Sequence, residues 1–208
     1  MKFHINYFDL GLWKFPHEIE IMLNEVFPKL DNITYSVYGF EANFEYANKI
    51  KEMYKNEHNI SIINLAISNK RGIEKLYLDT KRGLGSSIFS SKPNVNKHQY
   101  YSVESNTFSG WINENNIDLN NKINILKVNI EGAELYLWED IKNHKLRDKF
   151  QIFCGSLSHD ILKVPELKNQ INYYFNLLKE LNVDFLRFCG EYCPEKNVNM
   201  VNVIKKYL

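Results

Sequence analysis

Ile125-Leu126-Lys127-Val128-Asn129-Ile130-Glu131-Gly132-Ala133-Glu134 is the stretch whose reading decides the fold. Leu126, Val128 and Ile130 alternate with Lys127 and Asn129 in a run rich in β-branched residues, the pattern of a buried strand, and Leu135 to Ile141 continues at helical spacing. The strand therefore ends in a polar, acidic turn before a helix. In an open α/β sheet, ligands sit outside the carboxyl ends of the strands, which puts Asn129, Glu131 and Glu134 where a reacting group would be bound. The plainer alternative is that the glutamates only complement the positive end of the helix that follows.

The same alternation extends in both directions. Phe3 to Phe8 reads as a strand that runs into Asp9-Leu10-Gly11, followed by helical spacing of Ile19, Met22, Leu23 and Val26. Thr34 to Phe40 is a second strand ending at Glu41-Ala42-Asn43, with a helix through Ala47, Ile50 and Tyr54, and Ile60 to Ala66 is a third. A Trp111 helix, the Ile125 strand, a Leu137 helix and a strand at Phe150 to Phe153 follow. This order argues for a parallel sheet with helices on both faces. Toward the end, Leu167 to Leu181 reads as a helix, Val183 to Cys189 as a strand and Asn197 to Lys206 as another. Two strands joined by a short loop must run antiparallel. The expectation is one α/β domain over 1–208, its seven-stranded, mostly parallel sheet closed by an antiparallel last strand. Between a short strand at Ile73 to Leu78 and Val103 the text is polar and rich in turn residues, and 78–103 reads as a flap over the active site, with a plain surface loop as the alternative.

At 208 residues the chain can bury a full core, and 44% hydrophobic with 14% aromatic residues is an ordinary globular composition. The 26 basic and 25 acidic residues leave a net charge of +1, which gives no general attraction for nucleic acid. No apolar run approaches the roughly 20 residues needed to span a bilayer, and the first residues lack a signal-peptide core, so a cytoplasmic protein with a small-molecule or glycan substrate is expected. Cys154, Cys189 and Cys193 are too few and too irregular for a disulfide framework or a zinc site, and no metal is expected.

In order, Asp9-Leu10-Gly11, Phe40-Glu41-Ala42-Asn43, Leu65-Ala66-Ile67-Ser68-Asn69 with Gly72, the Gly85-Ser86-Ser87-Ile88 turn, Val103 and Thr107 before Trp111, and the Glu131-Gly132-Ala133-Glu134 turn resemble the FkbM family of S-adenosylmethionine-dependent methyltransferases. The similarity runs from Asp9 to about Ile141. It implies a Rossmann-like class I methyltransferase fold, S-adenosyl-L-methionine as cofactor and O-methylation of a sugar, glycan or related metabolite. The antiparallel end separates such sheets from those of dehydrogenases of similar order. The chain departs from the pattern at the first turn, where Trp13 and Phe15 stand near the place of a second glycine, and at Asn129, where many relatives carry aspartate.

The residues themselves agree with this. Gly11 in the first turn lets the backbone approach a cofactor, and Glu41 at the end of the second strand can accept hydrogen bonds from ribose hydroxyls. Asp9, Ala42, Ala66, Ser68 and Asn129 complete the expected cofactor site, while Ser86, Ser87 and Glu134 are expected to face the substrate. Transfer to oxygen calls for a base; His159, just after the Phe150 strand, is the first candidate, since imidazole titrates near neutrality, and Glu131 is the second. Gly11 and Glu41 would equally suit a nicotinamide-dependent oxidoreductase, although the chain lacks a Gly-x-Gly-x-x-Gly turn. A non-catalytic binding module that has lost its cofactor is the other alternative.

Overall fold

The computed structural model describes residues 2–80, 85–156, 160–190 and 198–208. Six strands form one all-parallel sheet, β3-β2-β1-β7-β8-β9. These are β1 (Phe3–Leu10), β2 (Ile33–Glu41), β3 (Ile60–Asn64), β7 (Ile123–Val128), β8 (Ile152–Gly155) and β9 (Phe185–Arg187). The helices are α1 (His17–Ile21, running on into a π turn), α2 (Phe44–Met53), α3 (Phe108–Glu114), α4 (Glu134–Asn143), α5 (Ile171–Glu180) and α6 (Met200–Ile204). A second sheet, β4-β6-β5, is made of β4 (Ala66–Ile67), β5 (Gly72–Asp79) and β6 (Val95–Asn106).

The two central strands owe their place to apolar side chains on both faces. Every residue of β7 is buried, as are the last six of β1. Ile5, Tyr7, Ile123 and Ile125 point into a core with Ile19, Ile50, Met200 and Ile204. Phe8, Leu10, Leu126 and Val128 point into the opposite core with Phe108, Trp111, Trp138 and Leu177. The chain runs from β1 through β2 to β3 on one side, then returns to β7 on the other. The crevice at the carboxyl ends of β1 and β7 is thus the switch point at which open α/β sheets bind ligands.

Two expectations need correction. The sheet is not seven-stranded with an antiparallel last strand: there are two sheets, and the larger is parallel throughout. In the tail, residues expected to form the antiparallel strand hold α6 instead. The Asn199 side chain accepts from the Asn202 N–H at 3.2 Å and caps the helix, while Met200 and Ile204 enter the core. Apolar residues at 200 and 204 satisfy a helical period as well as Val201 and Val203 satisfy an alternating one, and the cap decides between them. Among the described residues, antiparallel pairing is found between β5 and β6 and at the Tyr77–Ser87 bridge.

Of the stretch 78–103, residues 95–103 belong to β6, so the connection proper is 80–94. Its described part, 85–94, is anchored. Ser87 and Tyr77 exchange backbone hydrogen bonds of 2.8 and 3.0 Å, and Ser87, Phe89 and Lys92 are buried.

Ile204 is fully buried in α6, so Ile204→Ala should cost about 2–5 kcal/mol in urea unfolding. A loss under about 0.5 kcal/mol, the scale of a surface site, would mean that α6 does not pack on the sheet.

Candidate active site

A cavity of about 250 Å³ opens at the switch point. Its walls come from the turn after β1 (Gly11, Leu12, Trp13, Phe15), α1 (His17, Glu18), the end of β2 (Phe40, Glu41, Ala42), the β3–β4 corner (Leu65, Ala66, Ile67), the connection residues Ser86, Ser87 and Ile88, and the end of β7 with its turn (Lys127, Asn129, Ile130, Glu131, Ala133). Ser156, Arg187 and Cys189 close one side.

The first turn is held from two directions. Gly11 has φ +90°, and a Cβ there would stand 1.9 Å from the Asn129 carbonyl oxygen, so no other residue fits. Lys127 Nζ donates to the Gly11 carbonyl at 2.8 Å and lies 2.8 Å from Asp9 Oδ1. The Tyr7 hydroxyl donates to the other oxygen of Asp9 at 3.1 Å. On the far side, the Trp13 N–H donates to Glu41 Oε2 and the Asn43 N–H to Glu41 Oε1, both at 2.7 Å. Trp13 itself adopts φ +60°, a conformation that costs a non-glycine residue energy and that the Glu41 contact offsets.

Burial governs the titration of these groups. It lifts Glu41 to about 7 against its two backbone hydrogen bonds, and lifts Asp9 to about 6 against the pull of Lys127. Burial also works against the charge on Lys127, but the Asp9 and Glu18 carboxylates outweigh it and hold the lysine above its ordinary value.

The turn after β7 is built from two left-handed residues, Glu131 (φ +57°) and Gly132 (φ +113°). A Cβ at Gly132 would come within 2.7 Å of Val164, so glycine is required there as well. Glu134 folds back on this turn, accepting from the Gly132 N–H at 2.8 Å and the Ile130 N–H at 3.3 Å. It is buried outside the cavity wall, and burial, then the Asp160 carboxylate, raises it to about 7. Glu131 does line the cavity. Its carbonyl accepts from the Ser87 hydroxyl at 2.7 Å, and its carboxylate pairs with the buried Lys92 of the β5–β6 connection. Burial raises Glu131, with Lys92 acting the other way. Lys92 also lies 4.0 Å from Asp160, which in turn meets Lys163 at 2.5 Å.

Of the residues expected from sequence, Gly11, Glu41, Ala42, Ala66, Asn129, Ser86, Ser87 and Glu131 come together around the cavity. Asp9 lies behind the wall, Ser68 is buried outside it, and Glu134 shapes the turn. His159 lies outside the described residues. Sequence reading missed Lys92, Glu18 and the work of Lys127. A lysine in the middle of an apolar strand was the available signal for Lys127; a lysine in a polar connection offers none.

The model of the Methyltransferase FkbM domain matches residues 24–178, well over half of the chain. No curated protein and no solved structure gives a significant match. The chain belongs to the FkbM methyltransferase family, and it is an S-adenosylmethionine-dependent methyltransferase. The nicotinamide-dependent and non-catalytic alternatives give way to this. The cavity fits the cofactor: Leu65, Ala66, Ile67, Leu76 and Ile88 offer an apolar slot for a flat base, the Glu41 carboxylate stands at the end of β2, and Gly11 presents no side chain. Among the described residues, no three His, Cys, Asp or Glu side chains gather to hold a metal ion, and no helix is long and apolar enough to cross a membrane.

Raised carboxyl values mean that the folded chain holds those protons more tightly than the unfolded one. The stability they contribute is complete below about pH 4.5 and is lost as pH rises through about 7 for Glu41. Denaturant unfolding at pH 5, 6.5 and 8 should show wild type losing more stability over this span than Glu41→Gln. Equal losses would show that Glu41 is not desolvated.

Proposed function

We propose that this enzyme methylates a hydroxyl oxygen of a sugar, glycan or related small metabolite, in the cytoplasm, as a single domain spanning 1–208. The observation that carries this reading is Glu131. It is a carboxylate held in a left-handed turn at the switch-point cavity, its backbone fixed by Ser87 and its charge compensated by Lys92. S-adenosylmethionine supplies an electrophilic methyl group on a sulfonium centre. Glu41 accepts hydrogen bonds from the ribose hydroxyls, Ala42 and Ala66 border the base, and Gly11 and Asn129 form the floor beside the amino-acid end. Asp9 acts from behind the wall through Lys127, and Ser68 supports the β4 edge. Ser86 and Ser87 carry the acceptor's side of the cavity, with Glu134 fixing the turn that presents Glu131.

A hydroxyl becomes a good nucleophile only as its proton leaves, so a base must stand beside it. His159 is the first candidate for that proton and Glu131 the second, as base or as acceptor of a hydrogen bond from the substrate hydroxyl. Raised by burial yet paired with Lys92, Glu131 is suited to either part. Holding the acceptor in line with the methyl group also lowers the entropic part of the barrier.

Transfer of labelled methyl from S-adenosylmethionine to a panel of sugars and nucleotide sugars tests the acceptor class. On the acceptor so found, His159→Asn or Glu131→Gln should lower turnover by roughly 10²–10⁴-fold while calorimetry shows S-adenosylhomocysteine binding nearly unchanged. Full turnover in both variants would remove general base catalysis from this account, and transfer only to nitrogen or carbon acceptors would overturn the hydroxyl assignment.

A further inference from the structure

Glu18 stands in the first turn of α1, and its carboxylate reaches the cavity wall next to Gly11 and Lys127. The side chain is only 13% exposed. Its closest ionic partner among the described residues is Lys127 Nζ, 3.8 Å from Oε2, which is beyond hydrogen-bond distance. The lysine is already committed, to Asp9 at 2.8 Å and to the Gly11 carbonyl at 2.8 Å. Among the described residues nothing donates a hydrogen bond to Glu18. When all three groups are ionised, two carboxylates share one ammonium here, while Arg187 lines the cavity on the side it closes with Ser156 and Cys189.

Glu18 opens to the cavity and has no donor among the described side chains and backbone groups, so its hydrogen bonds there come from solvent or from a ligand. Its place narrows the ligand group. Glu18 shares the corner with the first turn and the end of β7, away from the apolar slot of Leu65, Ala66 and Ile67 in sequence and in sheet position. What this corner calls for is a compact cation with several hydrogen-bond donors. We propose that Glu18 binds the α-ammonium at the amino-acid end of the cofactor, an assignment that rests on the cofactor occupying this cavity. Lys127 then plays a positioning part: it holds Asp9 and the Gly11 carbonyl, and leaves the Glu18 carboxylate to the ligand. The contact is a charge-assisted hydrogen bond, the stronger class of such bonds.

Calorimetric titration of wild type and Glu18→Gln with two ligands tests this: S-adenosylhomocysteine, and its analogue in which hydrogen replaces the α-ammonium. Wild type should prefer S-adenosylhomocysteine by roughly tenfold or more, the scale of one hydrogen bond to a charged group. Glu18→Gln should lose most of that preference, by weakening S-adenosylhomocysteine alone and leaving the analogue within about twofold of wild type. Glu18→Asp, which keeps the charge and shortens the reach, should fall between. Equal weakening of both ligands would overturn the proposal and assign Glu18 to holding Lys127. Unchanged affinity for S-adenosylhomocysteine would overturn it too, by showing no contact. If wild type binds neither ligand, both the proposal and the occupancy beneath it fail, and this is told apart by the absence of heat with any variant.

Discussion

The ion pair between Asp9 and Lys127 is the constraint on which the site depends. The two residues are register partners on the adjacent parallel strands β1 and β7, and both are almost completely buried. Taking such a pair out of water costs several kcal/mol per ion, and only a complete set of partners offsets it. Here Tyr7 serves Asp9, and the Gly11 carbonyl serves Lys127. The pair thereby spends its remaining hydrogen-bonding capacity on the turn that walls the cavity. That turn lacks a second glycine and places Trp13 in a left-handed conformation. Two side chains do what glycine does elsewhere: Lys127 holds the Gly11 carbonyl, and Glu41 holds the Trp13 N–H.

The charge of the cavity follows from this arrangement. Lys127 is paired with Asp9 and Lys92, behind the other wall, with Glu131, while Glu18, Glu41 and Arg187 line the space. A wall of that kind suits a ligand that is cationic at one end and rich in hydroxyl donors in its middle, which is the chemistry of S-adenosylmethionine. The β5–β6 connection is part of the same wall. Ser87 and Lys92 tie its described part to the Glu131 turn.

The central strands were legible because burial on both faces writes them as unbroken apolar runs, and the Glu131-Gly132-Ala133-Glu134 turn because its glycine and acids break such a run sharply. β6 was not, since its exposed run, Lys97 to Tyr100, shows no clean alternation of apolar and polar residues. The tail misled because Met200 to Ile204 satisfies both periods, and only the Asn199 cap separates them. Of the site, the residues at strand ends could be read from position alone. Lys92 and Glu18 could not, because their roles come from contacts made across 39 residues to Glu131 and across the β1 turn to Lys127, which no local pattern encodes.

A double-mutant cycle across Asp9 and Lys127, read as S-adenosylhomocysteine affinity by calorimetry, tests the central claim most directly. If the buried pair sets the cofactor turn, Asp9→Asn and Lys127→Met should each weaken binding by roughly tenfold or more, and the double variant should bind about as well as the worse single one, a non-additivity of 1 kcal/mol or more on the scale of about 0.5–3 kcal/mol seen for groups in direct contact. Single variants that bind as wild type does, or losses that simply add, would show that the turn keeps its shape without the pair.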